Sequence, residues 1–243
     1  MTGPSEWLGS LRRSWWQRSH RKIHEGLSHS LNQYALNAGT REAFHALVKD
    51  LGLCLQPGND DIVLDLGGGD GCLSREVFDS CRRLVVMDLC APKDANAMSF
   101  IKADMYHPPF QSEAFTRLFT YSTFPHLGSS NAALRMLKTW DRLLKPGGVL
   151  FIGDIPDRSK LGVALRRGFQ RLSTFNGFKY YFAVSMLSMF SKTFLVRNLQ
   201  DLGYQVAVLK QSPDRRFHRE RFDLLAKKIG VNAQQTEKEG RGL

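Results

Sequence analysis

The stretch Val63-Leu64-Asp65-Leu66-Gly67-Gly68-Gly69-Asp70-Gly71 joins an apolar run to a glycine-rich turn, and a helical pattern with Leu73 and Val77 follows. Glycines carry no Cβ, so a turn of this kind lets backbone amides close upon a ligand. The spacing is not G-x-G-x-x-G, because Cys72 stands where the last glycine belongs, and this weighs against a nicotinamide or flavin. No G-x-x-x-x-G-K-[ST] occurs, which removes a P-loop. Acids end three later β-rich runs, at Asp88, Asp104 and Asp154, and His126 closes Tyr121-Ser122-Thr123-Phe124-Pro125-His126 after another. A carboxylate can accept both hydrogens of a vicinal diol. A histidine oriented by a carboxylate can exchange a proton near neutral pH.

The full pattern of the turn is D-x-G-x-G-x-G, and in this the sequence resembles the class I S-adenosylmethionine-dependent methyltransferases at Asp65, Gly67, Gly69 and Gly71. The resemblance extends from about Ile62 to Leu209 and includes Leu143-Leu144-Lys145-Pro146-Gly147-Gly148-Val149-Leu150, which is similar to the family's L-K-P-G-G segment. It implies S-adenosylmethionine as cofactor, with the glycine turn around its methionine part. By the same resemblance Asp88, followed by Leu89, holds the ribose hydroxyls, while Asp104, followed by Met105, meets the adenine amino group. Tyr121, at the end of the fourth run, either stacks near the cofactor or fills the core. In the family's strand order the ends of the fourth and fifth runs are neighbours, so His126 as base and Asp154 as its orienter form the candidate catalytic pair; the competing reading has them shape and cap loops.

Two departures from the family stand out. Only Leu89 to Ala103 separate Asp88 from Asp104, so the connecting helix must be very short or replaced by a loop, and Phe115-Thr116 stands where Phe-Asp is common. Thr123-Phe124-Pro125-His126 lacks the [DNS]-P-P-[FYW] pattern of base amino-group methylases, and it has no Pro-Cys nucleophile for cytosine C5. No acid ends the fourth run, which disfavours a magnesium site, although Asp154 and Asp157 leave one open. The expected reaction is O-methylation of a small acceptor: a sugar, a polyketide or a lipid-like molecule. The rivals are an RNA methyltransferase and a cofactor-binding module without activity.

These residues need a scaffold that brings strand ends together. Short β-rich runs at 62–65, 84–88, 100–104, 118–121 and 149–152 alternate with helical patterns, which predicts a Rossmann-like α/β fold: a doubly wound, mostly parallel sheet of about seven strands. Ala133, Leu137, Trp140 and Leu144 share a helical face that Lys145-Pro146-Gly147-Gly148 should stop. Phe194, Leu195, Leu199 and Leu202 predict another helix, stopped at Gly203. Gln205–Leu209 and the alternation at Phe222, Leu224 and Ala226 predict a C-terminal antiparallel hairpin.

The chain of 243 residues, 42% hydrophobic, is large enough to bury a real core. The expected organisation is N-terminal cap helices over 1–45, a core over 46–233 with a lid insertion at about 158–192, and a disordered tail over 234–243. Lys and Arg number 34 against 23 Asp and Glu, a net charge of +11 that favours anionic partners. An acceptor with an anionic handle fits this, and nucleic acid is the less favoured partner, although Arg166, Lys210, Arg215, Arg219 and Arg221 could track phosphates. Trp7, Leu8, Leu11 and Trp15, at helical spacing among Arg12, Arg13 and Arg18, read either as a cap over the site or as a peripheral contact with an anionic membrane. Aromatics of the insertion, from Phe169 to Phe190, suggest a pocket wall, with core packing as the alternative. Cys54, Cys72, Cys81 and Cys90 form no C-x-x-C pair and read as reduced thiols. Without a signal-like apolar segment, cytoplasmic residence is the expectation.

Overall fold

The computed structural model describes residues 40–90, 99–169, 188–215 and 217–229. Seven strands form one sheet: β1 (Ile62–Leu66), β2 (Arg83–Asp88), β3 (Phe100–Lys102), β4 (Phe115–Tyr121), β5 (Leu144–Pro156), β6 (Tyr204–Lys210) and β7 (Arg221–Lys228). Their order is β3-β2-β1-β4-β5-β7-β6. The first five are parallel, and β7 lies antiparallel between β5 and β6. This is the doubly wound sheet with a terminal hairpin that the sequence predicts. Strand order reverses between β1 and β4, and ligands of such sheets bind in the crevice outside the strand ends at that point.

Helices cover both faces, so β1 reads as an apolar run interrupted only by Asp65. On one face α1 (Arg41–Leu55) and α2 (Cys72–Val77) pack Phe44, Leu47, Leu51 and Leu73 against Val63, Phe119 and Phe151. On the other, α3 (Ser130–Leu143) and α5 (Lys192–Asp201) bury Met136, Leu137, Trp140, Leu195 and Leu199 over Leu64, Leu118 and Ile152. The Ser129 side chain caps α3 by accepting the Ala132 N–H at 3.1 Å.

Helix α3 ends at Leu143, before the residue that its periodicity suggests. Leu144 is already extended and pairs with Phe115, so it enters β5 and reaches the core from the strand. Lys228 Nζ satisfies the carbonyls left at that end, donating to Asp141 O at 2.7 Å and Leu144 O at 3.1 Å.

A boundary at residue 45 falls inside α1, whose apolar face belongs to the core on both sides of it. Arg117 on β4 fastens the far end of this helix. Its guanidinium pairs with Asp61 and donates to Leu55 O at 2.6 Å and Gln56 O at 3.1 Å. The first part of the predicted insertion is a 3-10 turn, Arg158–Lys160, leading into α4 (Leu161–Phe169). Its two ends meet again: Asp157 pairs with Phe190 as a β-bridge, and Lys192 Nζ lies 2.9 Å from the Asp157 carboxylate. Phe190 is therefore core, edge-on to Phe124 with ring centroids 5.4 Å apart, and not a pocket wall. The segment at 1–39, most of the insertion's aromatics and the tail at 234–243 lie outside the described residues. The four cysteines form no disulfide.

Candidate active site

At the carboxyl end of β1 the glycine turn takes left-handed backbone at alternate residues, with φ of 72°, 60° and 68° at Gly67, Gly69 and Gly71. Only glycine adopts this cheaply, which explains the D-x-G-x-G-x-G spacing. The turn is tied to β2 by Gly67 N–H, which donates to Met87 O at 2.8 Å. Asp88, 5% exposed at the end of β2, has one carboxylate oxygen on Gly69 N–H at 3.0 Å and the other on Cys90 N–H at 2.9 Å. Two amides from different segments thus fix one carboxylate beside the turn, with Leu89 between them in sequence.

Asp65 lies beneath this turn. A Cβ on Gly68 would run into its carboxyl group and come within 2.9 Å of Val86 Cγ1, so the turn closes directly over the acid. Burial pushes the Asp65 pKa up to about 7, against a hydrogen bond from Ser74, and the neighbouring Asp88 and Asp70 carboxylates add to the rise. Asp70 itself accepts the N–H of Cys72, the first residue of α2, at 3.0 Å.

The corner after β3 completes this side. Asp104 accepts Tyr106 N–H at 3.0 Å, and Trp140 Nε1 donates to Met105 O at 3.2 Å. A Cβ on Gly67 would meet Thr123 Oγ1 at 2.9 Å and Met105 Cε at 3.3 Å, so the glycine turn, the Met105 corner and the end of β4 pack against one another. The predicted residues Asp65, Gly67, Gly69, Gly71, Asp88, Leu89, Asp104 and Met105 accordingly share the edge formed by the ends of β1, β2 and β3. Tyr121 is buried on the α1 face beside Gly153 and is surrounded by Asp154, Arg215, Asp223 and Arg221. Of the two roles open to it in sequence, its packing matches core filling.

Beyond the switch point lies a second polar group. Ser122 and Asp154, at the ends of β4 and β5, both have left-handed backbone, with φ of 60° and 64°, and the Ser122 hydroxyl donates to Asp154 Oδ2 at 2.8 Å. Non-glycine residues hold that conformation only where surrounding structure enforces it. The β5–β7 register shifts between Ile152 and Ile155, so Asp154 sits on a bulge that turns it toward the hairpin. There it pairs with Arg221 and receives Gln211 Nε2 at 3.5 Å, while Asp223 accepts its N–H at 2.8 Å. Asp223 in turn accepts Gln211 at 2.8 Å and Arg215 at 2.6 Å. Burial raises the Asp154 pKa, with Arg221 and the Ser122 hydrogen bond opposing.

Asp154 therefore lies at the carboxyl edge of the sheet, but its carboxylate is bonded by Ser122, Arg221 and Gln211 in place of the expected imidazole. His126 occupies a half-buried 3-10 turn, Phe124–His126, after β4. Arg215 and Arg221, read from sequence as candidates to track phosphates, are committed to buried internal pairs. Asp157 is likewise taken by Lys192 and Ser159. Ser122, Gln211 and Asp223 carried no motif, and their only sequence signal is a position just outside a predicted strand or within the hairpin.

Solved structures share this fold. Magnesium protoporphyrin IX methyltransferase from Synechocystis PCC 6803 with bound SAH aligns at a TM-score of 0.59, with 15% identity over 91% of this chain and 99% of that one. A SAM-dependent methyltransferase from Thermotoga maritima aligns at 0.52, with 17% identity over 81% and 93% of the two chains. One from Methanosarcina mazei aligns at 0.50, with 16% identity over 71% and 94%. At such identities the likeness is one of fold. No curated protein matches the sequence. Residues 64–152, however, match the family model for a methyltransferase domain, and that span holds the whole glycine turn, Asp88 and Asp104. Residues 64–152 thus match a methyltransferase domain, on a fold shared with solved S-adenosylmethionine-dependent methyltransferases. The match starts inside β1 and stops inside β5, so α1 and the hairpin that clamps Asp154 lie outside it.

Proposed function

We propose that this methyltransferase acts on a hydroxyl of a small acceptor, a sugar, polyketide or lipid-like molecule with an anionic group, and that it works in the cytoplasm. The carrying observation is the order of groups along one sheet edge. The glycine turn and Asp88 lie on one side of the β1/β4 switch point, and the buried Ser122–Asp154–Arg221 group lies on the other. The close packing around Gly67 and Gly68 and the amide-fixed carboxylate suit the cofactor. When bound, S-adenosylmethionine supplies a methyl group made electrophilic by its sulfonium.

In this reading Asp88 receives the ribose hydroxyls, Gly67, Gly69 and Gly71 surround the methionine part, and Asp104 takes the adenine amino group beside Leu89 and Met105. Asp154 accepts the hydroxyl proton as the oxygen–methyl bond forms and the sulfur–methyl bond breaks. Arg221 and Ser122 aim its carboxylate, and His126, one turn past β4, is the second group able to exchange a proton. Holding acceptor and methyl donor in line is the larger part of the work.

Calorimetry with S-adenosylmethionine and transfer of labelled methyl to cell-extract fractions test this. D88A should weaken cofactor binding by about 100-fold, from the loss of charge-assisted hydrogen bonds. D154N should bind cofactor normally and lose turnover, and H126N shows whether the imidazole shares the proton. Label confined to RNA would overturn the acceptor class, and unchanged binding by D88A would overturn the cofactor assignment.

A further inference from the structure

Every residue from Arg158 to Val163 is exposed. This tip follows β5 through Asp157, three residues beyond Asp154, and so stands at the lip of the catalytic edge. It includes Leu161 and Val163, 41% and 46% exposed, two of the few large apolar side chains that the described residues leave in solvent. Arg158 and Lys160 flank them, and Arg166 is exposed further along α4. No Asp or Glu occurs between Asp157 and Asp201, so the tip sits in a long stretch whose only formal charges are positive.

The tip is also held in place. Asp157 Oδ1 accepts Ser159 N–H at 2.9 Å and its hydroxyl at 2.8 Å, while Arg158 N–H donates to Phe190 O at 2.9 Å. A preformed surface loses little entropy on docking.

From this juxtaposition of exposed Leu161 and Val163 with the exposed cations Arg158 and Lys160 at the lip of the site, we infer that the tip docks on an anionic lipid bilayer. Aliphatic side chains gain by entering the headgroup–acyl boundary, and the cations gain from the negative surface potential. A nucleic acid would use the cations and leave the aliphatic pair idle, which is why the bilayer is favoured. Among the described residues no helix is long and apolar enough to cross a membrane, so the contact is one of lying on the surface. Docked there, the catalytic edge meets acceptors that reside in or partition to the interface. Bilayer docking does not depend on which atom is methylated.

The test is co-sedimentation of the full chain with vesicles of phosphatidylcholine alone and of phosphatidylcholine with phosphatidylserine, alongside binding of a short RNA oligonucleotide. The wild type should prefer the anionic vesicles, and added salt should weaken the preference. L161S/V163S should weaken vesicle binding by about tenfold and leave cofactor binding unchanged. R158S/K160S should weaken it by about tenfold or more. Vesicle binding that is absent, or that persists unchanged in both variants, overturns the inference. RNA binding without vesicle binding, unaffected by L161S/V163S, overturns it in favour of a nucleic-acid surface. Cofactor affinity and turnover on soluble acceptors are separate readouts, so failure of the docking leaves the methyltransferase reading intact.

Discussion

Asp65 gives the most direct handle on the cofactor loop. It is buried beneath the glycine turn, and its pKa stands at about 7 against an ordinary 3.8. Between those values the folded protein keeps a proton that the unfolded chain has already released, so raising the pH favours unfolding. The stability contributed by this group is complete below pH 3.8 and is lost as pH rises through about 7, levelling off about one unit above. At about 1.4 kcal/mol per pH unit, falling off near pH 7 where the folded protein is half ionised, the interval from pH 5 to pH 8 amounts to about 3 kcal/mol. D65N keeps the size of the side chain but cannot ionise. Urea unfolding of both proteins at pH 5, 6, 7 and 8 should show the wild type losing about 3 kcal/mol relative to D65N, most of it below pH 7. Other acids titrate in both proteins and cancel in the difference. A difference that stays constant across the series would show that Asp65 is ionised throughout, and the argument from burial would fail. A cationic ligand beside the turn should pull the proton off, so cofactor binding near pH 6.5 should release protons, seen as a calorimetric enthalpy that depends on the buffer.

Four further variants test the packing and the charges. G68A drives a methyl group into Asp65 and Val86 and should cost about 3 kcal/mol, with weakened cofactor binding. G147A, at φ +76° with open space around it, should cost only about 1 kcal/mol of backbone strain, and melting temperatures of the two variants should rank accordingly. R117M leaves the half-buried Asp61 without its cation and the Leu55 and Gln56 carbonyls without donors, so urea unfolding should show a loss of about 3 kcal/mol as α1 loosens from β4. R221Q removes the cation opposing the burial of Asp154 and should raise that carboxyl's pKa further, so the acidic limb of any turnover relying on ionised Asp154 moves to higher pH than in the wild type. A pH–rate profile that R221Q leaves in place would refute the coupling.

The sequence by itself determined what local chemistry dictates. The glycines at 67, 69 and 71 are required by their left-handed backbone, and apolar runs such as Ile62–Leu64 are required by burial on both faces of a parallel sheet. The alternation at Phe222, Leu224 and Ala226 announced a strand without a helix before it, hence a hairpin, and the acids at 88 and 104 could be placed at strand ends from motif spacing alone. Tertiary structure decided which polar groups meet. Leu144 left its helical period because pairing with Phe115 stabilised it more as a strand residue. Arg221 found Asp154 across 67 residues because β7 inserts beside β5 and a bulge there turns the carboxylate toward it, which left the His126–Asp154 bond unmade among that carboxylate's partners. Periodicity reports burial and local propensity. The partner of a buried charge is set by strand order and register, which join residues far apart in the chain and are settled only when the sheet closes.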